Sequence, residues 1–108
     1  MELTTGACIN NEAIVENLKK LINQIYKLLP NREENIDWQT PLSTIIEELS
    51  GMDEVLKDYH NILFPLICKL QGLYPLTQED DFFLYRRTIF ECLNLLTSMK
   101  EEVIKCLD

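Results

Sequence analysis

Ile14, Leu18, Leu21, Ile22, Ile25, Leu28 and Leu29 recur with the 3.6-residue period of one helix face. This spacing predicts a helix from Glu12 to Leu29. Asn10 or Asn11 would cap it, Glu12 and Glu16 sit near the positive end of its dipole, Lys27 sits near the negative end, and Pro30 stops it. Residues 30–40, PNREENIDWQT, are polar and predict a loop in which Trp38 closes the end of the core. Thr40 then caps a second helix that has Pro41 at its first position.

From Leu42 the apolar positions run through Ile45, Ile46, Leu49, Met52, Leu56, Tyr59, Leu63, Leu66, Ile67 and Leu70 to Leu73, and they keep step across Gly51 and Pro65. The continuity predicts one long segment, bent near Gly51 and kinked near Pro65, where the ring removes a donor and crowds the carbonyl of Asn61. Two helices separated at Gly51 are the alternative. Gly72, followed by Pro75, predicts a stop with glycine in the left-handed conformation and a tight loop over residues 72–77.

Thr77-Gln78-Glu79-Asp80 reads as a capping box that opens the last helix. Phe82, Tyr85, Ile89, Cys92, Leu96, Met99, Val103 and Cys106 then repeat with heptad spacing. A second stripe of Phe83, Phe90, Leu93, Ile104 and Leu107, with Leu84 and Leu95 further round, makes this helix apolar over more than the usual third of its circumference. The fold class expected is all-α: a single domain over residues 1–108, folded as an antiparallel helical bundle of three long segments, or four helices if the chain breaks near Gly51. Residues 1–10 are expected to form a flexible lead.

Composition agrees with that picture. Three glycines and four prolines are too few for a strand-and-turn protein, and 46% apolar residues are too many for a disordered one. No apolar run approaches the ~18 residues that span a bilayer, and the start MELTTGACINN has no basic stretch leading into an apolar one, so a cytoplasmic protein without a membrane partner is expected. A formal net charge of −8 disfavours nucleic acid as a partner. The imbalance is local: residues 33–58 hold Glu33, Glu34, Asp37, Glu47, Glu48, Asp53, Glu54 and Asp58 against Lys57 alone. Glu47, Glu48, Asp53, Glu54 and Asp58 form the candidate acidic patch, which would keep the chain soluble or steer a basic protein surface toward it.

The chemistry available to one chain is narrow. His60 is the only histidine, and Lys57 stands where the E-x-x-H pair of a di-iron bundle needs a carboxylate. The glycines are isolated at positions 6, 51 and 72, so no phosphate-binding loop exists. Cys8, Cys68, Cys92 and Cys106 make no C-x-x-C pair and are expected to be free thiols packed as small hydrophobes, with disulfides in a secreted protein as the alternative. No catalytic residue, metal site or cofactor is expected.

Two functional readings follow. The leading one is a non-enzymatic protein–protein interaction module, such as an adaptor, inhibitor or assembly subunit, forming a homodimer through Phe83, Arg86, Arg87, Phe90 and Leu93. The second is a binding module for a small anion, such as a nucleotide or phosphorylated metabolite, held by Tyr85, Arg86 and Arg87. Arg86 is expected either to pair with a carboxylate or to stack on a ring near the core, and Arg87 to reach Glu91 one turn on. A composition rich in Ile, Asn and Lys resembles that of small acidic helical proteins from low-GC bacterial genomes and their phages or mobile elements.

Overall fold

The computed structural model describes residues 11–106, and every regular element among them is helical. The order is α1 (Asn11–Tyr26), α2 (Leu28–Glu33), α3 (Gln39–Val55), α4 (His60–Gln71) and α5 (Phe82–Lys105), with single 3-10 turns at Lys57–Tyr59 and Glu79–Asp81. The expected lead over residues 1–10 and the stripe position Leu107 lie outside the described residues.

Packing follows the apolar stripes. Ile14, Leu18, Leu21 and Ile25 of α1 are buried with Tyr85, Ile89, Cys92, Leu96, Met99 and Val103 of α5. Leu63, Leu66 and Leu70 of α4 join them with Leu42, Ile45 and Leu49 of α3. Each fully buried leucine or isoleucine contributes about 1.5–3 kcal/mol relative to exposure. Tyr26, at the end of α1, meets Phe90, while Asn11 and Ile14, at its start, line a cleft with Cys106, so α1 and α5 run in opposite directions. Ser43, near the start of α3, shares a 2.6 Å hydrogen bond with Tyr74 beyond the end of α4, which sets those two helices in opposite directions as well. Lys69 joins α4 to Glu91 of α5 at 3.2 Å.

The helix boundaries differ from the expected ones at five places, each with a local cause. Pro30 does not stop the first helix: after a hitch at Lys27 the chain re-enters a helix, and Pro30 stands third in α2, where a missing N–H costs no intrahelical bond. The loop is therefore shorter than residues 30–40. Asp37, not Thr40, caps α3, its Oδ1 accepting the N–H groups of Gln39 at 3.0 Å and Thr40 at 3.2 Å, and the Thr40 side chain first, then these backbone bonds, hold its carboxyl below the ordinary value.

The long middle segment is divided, but at Leu56 instead of Gly51, which sits inside α3. Leu56 (φ −99°, ψ 71°) leaves the helix, its N–H still bonded to Met52 O at 2.7 Å, and a 3-10 turn leads directly into α4. Gly72 is right-handed (φ −71°), because its N–H is shared between Cys68 O and Lys69 O, each at 3.1 Å, and the chain unwinds through successive tight turns. The cap before α5 begins one residue later than expected, with Asp81 Oδ2 accepting the Gln78 N–H at 3.1 Å.

Candidate functional site

On the outward side of α5, Phe83, Arg87, Phe90 and Asn94 recur at helical spacing and all are exposed. Phe83 is 75% exposed and Phe90 36%, beside Tyr26 of α1 at 55%. The rings are organised. Phe90 meets Tyr26 edge-to-face with centroids 6.2 Å apart, and the Arg86 guanidinium lies 5.3 Å from the Phe90 centroid. Arg86 thus takes the expected ring-stacked arrangement, although it is exposed and not near the core. Arg87 pairs with Glu91 at 3.6 Å, as its i,i+4 spacing predicts.

Two expected members of this region face inward instead. Leu93 is buried, so it is core of the single chain and not part of an outer contact. Tyr85 is fully buried and its hydroxyl donates to Leu28 O at 3.3 Å, so it cannot reach a ligand at the surface with Arg86 and Arg87. Burial pushes that hydroxyl well above the usual tyrosine range, against a smaller opposing effect of Arg32. A surface anion would find two arginines, one already paired with Glu91.

The residue that the sequence reading passed over is Arg32. Its Nε and Nη2 donate to Leu76 O at 3.1 and 2.8 Å, and Nη2 donates to Gln78 O at 2.7 Å. Its guanidinium also lies 5.2 Å from the Phe82 ring and 4.8 Å from that of Tyr85, which Trp38 covers edge-on at 5.1 Å. Trp38 therefore closes the core end as expected. The arrangement ties α2 to the loop before α5 and uses the guanidinium fork on main-chain carbonyls.

In the acidic patch Glu47, Glu48, Glu54 and Asp58 are exposed. Asp53 Oδ1 is bonded to His60 Nδ1 at 2.8 Å, and His60 stacks on the exposed ring of Phe64 at 5.3 Å. Among the described residues no group of three or more His, Cys, Asp and Glu is placed to hold a metal ion, and no helix is long and apolar enough to cross a membrane.

The thiols depart from the expectation of buried hydrophobes: Cys92 is in the core, but Cys68 and Cys106 are exposed, and Cys8 lies outside the described residues. Burial pushes the Cys92 thiol up to about 12, against a smaller opposing effect of Lys69. Brief treatment of the folded protein with iodoacetamide at pH 8 should alkylate Cys68 and Cys106 and spare Cys92 until denaturant is added. Peptide mass mapping checks this, and early labelling of Cys92 would show that α5 opens locally.

The chain matches no protein-family model, and comparison with curated proteins and with solved structures finds no match.

Proposed function

We propose that this chain is an antiparallel helical bundle that works as a non-enzymatic protein–protein interaction module, with the outer face of α5 as its contact with a second copy. One observation carries the reading: Phe83, Phe90 and Tyr26 stand exposed together with Arg86 stacked on Phe90. Aromatic rings and arginine are the residue types enriched at buried interface centres, where they lose water over a large area at little cost in side-chain entropy. A two-fold axis beside α5 sets this patch against itself, rings to rings, with Arg86 and Arg87 toward carboxylates of the second copy. Each chain carries −8 overall, but that repulsion is screened beyond about 10 Å at ordinary ionic strength, while the apolar contact is not.

Phe83→Glu places a charge in the middle of the contact and touches no core packing. Light scattering should give the monomer mass for this variant with unchanged helical circular dichroism. A mass equal to that of the unmodified chain would remove the α5 face from the contact.

A further inference from the structure

A second face of the molecule has the properties of a docking groove. Between α1 and α3, Ile14, Gly51, Met52, Val55 and Leu56 line a cleft of about 360 Å³, which runs on past the shared residues Ile14, Val55 and Leu56 into a neighbouring one. Val55 is 61% exposed there, an apolar β-branched side chain standing in solvent at the groove wall. Gly51 is the informative residue. In mid-helix a glycine is less stable than alanine, yet no described residue lies within 4 Å of where its Cβ would be, and its backbone is not left-handed. Nothing among the described residues requires a glycine at this position. A bare patch of helix backbone beside Met52 and Val55 instead lets another helix approach closely.

Charge decides what kind of helix. α3 carries Glu47, Glu48, Asp53 and Glu54 and no lysine or arginine. Glu48 lines the cleft itself and Asp58 its continuation, with Lys57 the one basic residue lining either. We infer that the α1–α3 cleft docks a basic amphipathic helix of a partner protein, its apolar side chains on Ile14, Met52, Val55 and Leu56 and its backbone crossing at Gly51. A second copy docking through its own α3 would set carboxylates directly against Glu48, within the range where salt does not screen them, so it fits the cleft poorly. The inference extends the interaction-module reading to another face and does not depend on the α5 contact.

Gly51→Gln separates this from a structural role, because it should move two readouts in opposite directions. The side chain fills the groove, and a better helix former raises the melting temperature. The probe is a fluorescein-labelled amphipathic helix of leucine and lysine, about 14 residues long, read by anisotropy against a scrambled peptide of the same composition. The unmodified chain should bind the amphipathic peptide and not the scramble. Gly51→Gln and Glu48→Lys should each weaken binding by about tenfold, and Phe83→Glu should leave it unchanged. Raising the salt should weaken it by several-fold. Absent binding, equal binding of the scrambled peptide, or undiminished binding by Gly51→Gln would overturn the inference. So would a change in the oligomeric mass of Gly51→Gln, which would assign the groove to a second copy.

Discussion

Replacing Leu96 by alanine should lower the free energy of unfolding by about 2–5 kcal/mol, the cost of removing buried methyl groups and leaving a cavity. Leu96 is fully buried on the stripe of α5 that faces α1 and α4, among side chains that cannot all shift to fill the space. Asn94→Ala, on the opposite and exposed side of the same helix, should stay within about 0.5 kcal/mol. Urea denaturation of the two variants measures both. Equal losses would mean that α5 is turned differently against the core.

The second large effect is expected at Arg32. Arg32→Ala removes three hydrogen bonds from a charged donor to Leu76 O and Gln78 O and leaves the Phe82 and Tyr85 rings without their cation. Charge-assisted bonds of this kind and a partly desolvated cation–π contact together set the cost at about 2–4 kcal/mol. Arg32→Lys should recover less than half of it, because an ammonium cannot place two parallel donors on one carbonyl while lying flat on a ring. Thermal unfolding of the two variants checks this, and full rescue by lysine would show that charge alone matters there.

Arg32 also shows where sequence reading runs out. Its partners are main-chain carbonyls of Leu76 and Gln78, far along the chain, and a carbonyl has no residue type to recognise. Helix faces were legible because burial imposes a period on side chains: the stripes of α1 and α5 are buried as their spacing requires, with Ile14, Leu18, Tyr85 and Leu96 inside. The break between α3 and α4 was displaced for the same reason. Leu56 and Tyr59 are both half-buried, so apolar positions stay in step across a turn when the helices on both sides face one core. Continuity of the stripe is continuity of the core, not of the helix. The true end carried no charge signal: Asp53 and Glu54 stand at the negative end of the α3 dipole with no basic residue in the last turn, the reverse of the pattern that marks a helix C-terminus.

For the candidate site, the second apolar stripe of α5 holds Phe83 and Phe90, which are exposed, but spacing alone did not separate them from Leu93, which is buried. Tyr85 was grouped with Arg86 and Arg87 by adjacency along the chain. On a helix neighbouring residues point about 100° apart, and Tyr85 faces the core while both arginines face out.

Sedimentation equilibrium of the unmodified chain tests the proposed two-fold contact most directly. At about 50 µM, well above the dissociation constant of a specific dimer, the account predicts a single species of twice 12.7 kDa. A species of 12.7 kDa at every concentration would contradict it.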